Sequence, residues 1–592
     1  MTIKKHFKNH QNLGYYMPLF NLNGLRSAIT PFFAGDLKTD YHHYALEPAS
    51  ELELFELTQS RNVIFNVDGK NLFLNGQTES QQQDDITYET GLLYQKVTRN
   101  HISSKITVTS YIPIHFNMEC HMITYQNMSQ NNQNIQITTA TPIYGRSADS
   151  LRDHRHVTSL LHQIKAKDES IIVKPTLSFD ERGHQINDTT YALITSSKQL
   201  NVKGYIPTVD QYLNGGSFHF PQGLNHLEKE GHEISGYEAM GGISFDEITL
   251  KPHEEITFFM GILISNESFD IHELKKTYLT EEGFQKHLKD VKSYFSHYIN
   301  QLSFYIESEE TSNQLTWVIL QPLLRRYFGN SFLPYHDYGK GGRGWRDLWQ
   351  DLLSLIMMND QSVIDLLYSN FAGMRIDGSN ATIIGDKQGE FLADRNQITR
   401  VWSDHGVWPL ITTKLYIDET GDLSFLLKKQ TYFQDQFTHY TKQSGFKKNG
   451  LVLKDSSMNI YEGTILEHLL IENLVGYHNI GKHGYTRLED ADWNDGLDMA
   501  HDLGETIAFT HMYAENLSIL SALIESLHVD HLTMIHSLDH LLKDDSDIQT
   551  YYDEVAHFDG KLKSYQTKEL IERLKQLSIK KKEFLNKHAF KN

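Results

Sequence analysis

The sequence predicts a multidomain β + α chain: an N-terminal antiparallel β-sandwich over residues 1–280, a linker helix over 281–310, and a helical α/α-toroid domain over 311–592. Two observations predict it. The apolar residues recur with period two before about residue 280 and with a helical period after it. Turn pairs such as Asp68-Gly69 and Asn75-Gly76 punctuate the first part, whereas long polar, glycine-containing loops punctuate the second.

The strand signals come in order. Val63 to Val67, Asp68-Gly69 and Leu72 to Leu74 read as short strands around a tight turn whose residues tolerate positive φ. Ile106, Val108, Ser110 and Ile112 alternate with Thr107, Thr109 and Tyr111, the pattern of a half-buried strand. Ile135–Thr139, Ser170–Val173 and Tyr191–Thr195 continue the series, and Ile243 to Ser265 reads as a closing hairpin turned at Lys251-Pro-His-Glu254. Many strands with little helical period favour a sandwich. Phe284, Leu288, Val291, Phe295, Tyr298 and Leu302 then fall four and three apart, an apolar stripe on the linker helix, which is expected to pack between the two halves. Helices are expected near 313–328, 346–358, 361–374, 404–417, 422–440, 460–477, 506–527, 530–543 and 566–587, with a solvated loop over Asp544 to Asp553. Function on such a scaffold is expected in the loops at one end.

Composition narrows the function classes. Lys and Arg number 55 against 75 Asp and Glu, a net charge of −20, which disfavours non-specific nucleic-acid binding. The single cysteine, Cys120, precludes an intrachain disulfide and a four-cysteine zinc site. No secretory leader follows the basic start, and nowhere do about 18 apolar residues run together, so a cytoplasmic protein without a membrane partner is expected.

Two phosphate-loop patterns fail their context. Gly476 to Lys482 nearly matches a P-loop, but His483 stands where Ser or Thr is required, and the segment follows a helix. Gly339-Lys-Gly-Gly-Arg-Gly344 satisfies the dinucleotide pattern by letter but lies far from any βαβ unit. Its glycines beside Lys340 and Arg343 at a helix entry still suit a small anion. Scattered histidines lack metal-ligand spacing, so no metal is expected.

Three polar-aromatic clusters carry the chemistry: Gly341 to Asp351, Arg400 to Pro409, and Asp490 to Gly496 followed by Gly504-Glu505. Five of the six tryptophans lie in them. Indole covers the apolar face of a sugar ring while carboxylates, amides and guanidinium bind its hydroxyls.

Arg346-Asp347-x-x-Gln350-Asp351, Ser403-Asp404-His405 with Trp408-Pro409, Glu419-Thr-Gly-Asp422 and Asp492-Trp-Asn-Asp495-Gly496 together resemble the cellobiose phosphorylase family of inverting glycoside phosphorylases, glycoside hydrolase family 94. Asp36 to Ala45 and Arg375 to Asn380 look nearer its oligoglucan-acting members. The resemblance implies an (α/α)6-type catalytic toroid and phosphorolysis of a β-linked gluco-oligosaccharide to α-glucose 1-phosphate. Asp495 then matches the general acid, Asp347 and Trp493 match sugar-holding residues, and Arg346 matches a phosphate-binding arginine, with Lys340 or Arg343 as a second cation. Asp492 and Glu505 are implied as supporting groups. No cofactor is needed beyond inorganic phosphate as co-substrate. The resemblance also implies later helices and loops that complete the phosphate site, whereas 97 residues follow Asp495 here. A truncated toroid is therefore expected, either as a fragment, as a chain completed by a second polypeptide, or as a divergent domain, with a homodimer or a completing second chain as the partner. Two alternatives stay open: an inverting hydrolase using Glu462, Glu467 or Glu505, and an inactive carbohydrate-binding chain.

Overall fold

The computed structural model describes residues 2–11, 14–49, 54, 60–151, 155–180, 183–302, 304, 306–328, 344–381, 383–384, 388–392, 401–435, 440, 451–490, 495–500, 502–544 and 546–589. The chain divides into two compact units, Met1–Gly341 and Gly342–Asn592. The first is an antiparallel β-sandwich and the second is predominantly helical. Among the described residues no helix is long and apolar enough to cross a membrane.

In the first unit a ten-stranded sheet has the strands Ser104–Tyr111, Met118–Asn127, Glu255–Ser265 and Thr190–Ser196 at its centre. A seven-stranded sheet built around Gln133–Thr139 and Ala239–Phe245 packs against it. Phe65 stacks on Tyr125 at 5.4 Å and Phe245 meets Phe258 at 5.9 Å across the two layers. The Asp68-Gly69 hairpin forms as its residues require: both have positive φ, 48° and 84°, and Val67 pairs with Lys70. The segment around Lys251–Glu254 corrects the sequence reading. It does turn, with Glu254 N–H donating to Lys251 O at 3.1 Å, but the flanking strands enter different sheets. Ile248–Leu250 pairs with Gln133–Ile135, and Glu255–Ser265 lies between Met118–Asn127 and Thr190–Ser196, so the turn is an arch between layers.

The stripe helix runs Glu281–Asn300, capped by Thr280, and buries Phe284, Leu288, Val291, Phe295 and Ile299. Its last turn faces inward through Ile299 rather than Tyr298, because the spacing of four from Phe295 keeps the residue on the apolar stripe. It packs on the sandwich through Phe284 against Tyr111 at 4.8 Å and Phe295 against Phe20 at 5.3 Å. The helix Glu309–Phe328 follows in the same unit.

The second unit is built on the helices Trp345–Met357, Val363–Asn370, Trp408–Thr420, Ile465–His478, Ile507–Ser526, Ile548–Val555 and Thr567–His588. Trp345–Met357 packs on Trp408–Thr420, and Ile507–Ser526 packs on both Ile465–His478 and Thr567–His588. Every residue from Ile465 to Tyr477 is buried, which makes that helix the core of the unit. Three expectations are corrected. The stretch 422–440 holds a 3₁₀ turn, Leu423–Leu427, and a strand, Lys429–Thr431, since Lys428 and Lys429 interrupt the apolar run. The stretch 530–543 opens with a strand, His531–Ile535, paired with Leu562–Gln566, where Leu532 and Met534 face inward with period two. The expected loop at Asp544 to Asp553 contains the helix Ile548–Val555, capped by Asp547, with Tyr551, Tyr552 and Val555 buried.

Candidate functional site

The first sequence cluster opens the helix Trp345–Met357, whose N-cap is Gly344. Asp347 lies in its first turn, where a negative charge is favoured by the helix dipole. Its Oδ2 lies 2.9 Å from the place a Cβ on Gly344 would take, so the carboxylate and the glycine backbone share one small space. Trp345 is fully buried and donates its indole N–H to the carbonyl of His405 at 3.2 Å. Arg346 Nε donates to Asp404 Oδ2, and Trp408 Nε1 donates to the same oxygen at 3.2 Å. The first cluster is thereby bonded to the second.

The second cluster is bonded in turn to the approach of the third. Trp402 and Glu489 form an isolated antiparallel bridge. Asp490 N–H donates to Val401 O at 2.9 Å, and Val401 N–H donates to Asp490 Oδ2 at 3.0 Å. Asp495 begins the short helix Asp495–Asp498. The side chain of Asp495 lies outside the described residues, as do Lys340, Arg343, Asp492 and Trp493.

Glu505 closes a turn. Its carboxylate accepts from the backbone N–H of His483 at 3.0 Å, of Tyr485 at 2.9 Å, and contacts His483 Nδ1 at 2.9 Å. Burial pushes its pKa upward, but these hydrogen bonds outweigh it and hold the group below its ordinary value. Glu467, one of the alternative hydrolase carboxylates, is buried and accepts from Tyr432 Oη at 2.8 Å, Tyr461 Oη at 3.0 Å and Ile535 N–H at 2.9 Å. It ties the helix Ile465–His478 to three neighbouring segments, those of Tyr432, Tyr461 and Ile535. Glu462 lies exposed on the strand Glu462–Thr464.

Behind the second cluster lies a cavity that sequence reasoning missed. Its walls include the Gly378-Ser379-Asn380 turn, Trp402 and His405, Tyr440, Glu472 and Tyr513. Gly378 holds φ +82°, and a Cβ there would meet Val475 at 2.8 Å, so the turn can approach the central helix only as glycine. Arg375 secures the same turn, its backbone N–H donating to Ser379 O at 2.8 Å and its Nη1 to Asn380 O at 2.5 Å, while its Nη2 donates to Asp435 Oδ2 at 2.8 Å. Tyr513 donates its hydroxyl to Ser403 O at 2.9 Å. The cavity encloses about 10 Å³, close to one water.

Burial lowers the His405 pKa to about 4, with Asp404 opposing and Arg346 reinforcing the shift, so the ring is neutral at neutral pH. Glu472 is only 2% exposed, and neither carboxyl oxygen has a hydrogen-bond partner among the described residues. Burial raises its pKa well above the ordinary carboxylate value, and the nearby Asn380 amide opposes this only in part. The sequence signal was available: Glu472 interrupts the apolar run Leu469-Leu-Ile-Glu-Asn-Leu474, where a charge is costly unless it has a purpose.

No family model matches the chain. A solabiose phosphorylase from Paenibacillus borealis is 24% identical over 272 residues, 45% of this chain and 29% of that protein. The chain thus matches less than a third of that relative's length. Among solved structures, a bacterial glucoamylase complexed with acarbose aligns over 93% of this chain and 69% of its own, with 9% identity and a TM-score of 0.45. A protein assigned as a kojibiose phosphorylase from the human microbiome aligns over 98% and 69% respectively, with 11% identity and a TM-score of 0.45.

Proposed function

We propose that the helical unit carries the centre of an inverting glycoside phosphorylase that converts a β-linked gluco-disaccharide or oligosaccharide to α-glucose 1-phosphate. One observation carries the reading: hydrogen bonds join Arg346 to Asp404, Trp345 to His405 and Val401 to Asp490, so the first two clusters meet the start of the third, five positions before Asp495 in the chain. The partial similarity to a disaccharide phosphorylase supports it.

In this reading a phosphate oxygen attacks C1 from the face opposite the glycosidic bond. The C1–O bond breaks, and Asp495 gives its proton to the leaving oxygen. An inverting hydrolase needs a second carboxylate to activate water, whereas phosphate is already an anionic nucleophile and needs cations to hold it. Arg346 supplies one cation, with Lys340 or Arg343 as the second. Asp404 is a positioning residue, since it bonds Arg346 Nε while that side chain stays 27% exposed and within reach of an anion. Asp347 and Trp493 hold the sugar, and Asp492 and Glu505 shape the loops. A bound phosphate beside Asp495 raises that carboxyl's pKa, so the acid is protonated when its co-substrate is present.

The test is incubation with cellobiose and longer β-gluco-oligosaccharides, with and without phosphate. The expected product is α-glucose 1-phosphate, formed only with phosphate and lowered about 10²–10⁴-fold in Asp495→Asn. Glucose release without phosphate would replace this reading with a hydrolase. Oligosaccharide binding without turnover would replace it with a carbohydrate-binding chain.

A further inference from the structure

Glu472 and Asn380 face the cavity behind Trp402 and His405, and both side chains are more than nine-tenths buried. Both Glu472 oxygens and Asn380 Oδ1 lack a hydrogen-bond partner among the described residues. The Asn380 amide is near enough to influence Glu472 but falls short of hydrogen-bond geometry. Unsatisfied buried polar atoms cost free energy, so three of them around one water-sized space call for an occupant. Three glycines preserve that space. A Cβ on Gly406 would meet Tyr513 Oη at 2.6 Å and Glu472 Cγ at 3.0 Å, one on Gly476 would meet the Tyr513 ring at 2.2 Å, and one on Gly378 would meet Val475.

We propose that this cavity is a hydroxyl-binding pocket in which the Glu472 carboxyl group and Asn380 recognise one uncharged hydroxyl group of a carbohydrate ligand. The assignment rests on the carbohydrate-active reading above and adds a specificity residue to it. A neutral carboxyl offers one donor and one acceptor, and Asn380 Oδ1 adds an acceptor. A hydroxyl group offers the complementary set of one donor and two lone pairs. Phosphate is disfavoured by size and, among the described residues of the pocket's walls, by the lack of a cation. The other titratable groups on those walls are His405, Tyr440 and Tyr513. His405 is neutral at neutral pH and burial raises both tyrosines, so among the described walls Glu472 meets no positive charge that would favour its ionised form. The Arg346 charge is engaged by Asp404.

The experiment titrates the full chain with glucose and with its 2-, 3-, 4- and 6-deoxy analogues by calorimetry. One analogue is expected to bind wild type about tenfold more weakly than glucose. Glu472→Leu should bind glucose about tenfold more weakly than wild type and show no further loss with that analogue, whereas Glu472→Gln should stay within about threefold. Equal binding of glucose and every analogue by wild type and Glu472→Leu overturns the pocket. Should Glu472→Leu fail to fold, infrared spectroscopy of wild type against Glu472→Gln decides. A carboxylic-acid C=O band at neutral pH, absent from Glu472→Gln and shifted by glucose, supports the pocket, and a band that glucose leaves unmoved overturns it. If wild type binds no glucose in any form, the carbohydrate reading fails and the pocket fails with it. If glucose binds but Glu472 is indifferent, only the pocket fails.

Discussion

The direction in which a buried carboxyl group's pKa shifts is decided by its immediate partners, and this chain contains both outcomes. Glu119, at the centre of the sandwich, is fully buried beside Arg61, whose Nε and Nη2 donate to its two oxygens, with His121 Nε2 2.8 Å from one of them. Burial pushes the Glu119 pKa up, but the Arg61 charge and the His121 hydrogen bond outweigh it and hold the carboxyl well below its usual range. Arg61 is satisfied on its far side by the carbonyls of Gly35 at 2.8 Å and Asp36 at 2.9 Å, so the ion pair is anchored at both ends. A depressed folded-state pKa contributes stability that is present above the unfolded value of 4.5 and is lost as pH falls through the folded one. Glu119→Gln leaves Arg61 buried without its counter-charge and should cost about 3–5 kcal/mol at pH 7 by urea denaturation. Its stability should also fall less steeply than wild type between about pH 5 and pH 3. An equal slope in both proteins would remove Glu119 from the acid sensitivity. Glu467 has the opposite sign: burial raises it despite three hydrogen bonds, so its contribution is complete below pH 4.5 and declines as pH rises.

Elements test how far local pattern determines structure. The helix Ile465–His478 is buried on every side, so it has no amphipathic stripe, and its start is set by Thr464, whose Oγ1 accepts from Glu467 N–H at 3.1 Å. Thr464→Ala should destabilise the chain by about 1 kcal/mol while Thr464→Ser stays close to wild type, measured by chemical denaturation. Loss of equal size in both variants would assign the role to the threonine methyl group. The Asp68-Gly69 hairpin was legible because a two-residue turn with positive φ states its own geometry. Lys251–Glu254 was legible as a turn but not as an arch, since which sheet a strand joins depends on partners more than a hundred residues away, Gln133 among them. His531–Ile535 alternates too briefly to overrule the Leu and Met that favour a helix. At the site, the three clusters were legible as composition, but their joining through Val401, Asp404 and Asp490 is long-range. Glu472 was readable as a charge in an apolar run, and its cavity was not, because Asn380, Trp402 and Tyr513 reach it from separate segments.

At the scale of the molecule, a net charge of −20 sits against a proposed reaction that consumes an anion. The two effects act over different distances. In the proposed site Arg346 would act on a phosphate within a few ångströms, inside the Debye length of about 10 Å at 0.1 M salt, where screening is weak. The summed negative charge acts over longer range and repels the approaching phosphate, and that repulsion is what salt removes. A chain with a positive entry funnel would lose phosphate affinity as salt rises. This one should gain it: kcat/KM for phosphate should rise about two- to fivefold between roughly 10 mM and 150 mM sodium chloride. The corresponding value for the neutral disaccharide, measured at saturating phosphate, should stay within experimental scatter. Chloride competition at the arginine site would lower the phosphate value and is detected by repeating the series with a bulkier monovalent anion. A fall in kcat/KM for phosphate with every salt would mean that a local positive field governs approach. The neighbouring cations Lys340 and Arg343 would then dominate the field at the entrance despite the charge of the whole chain.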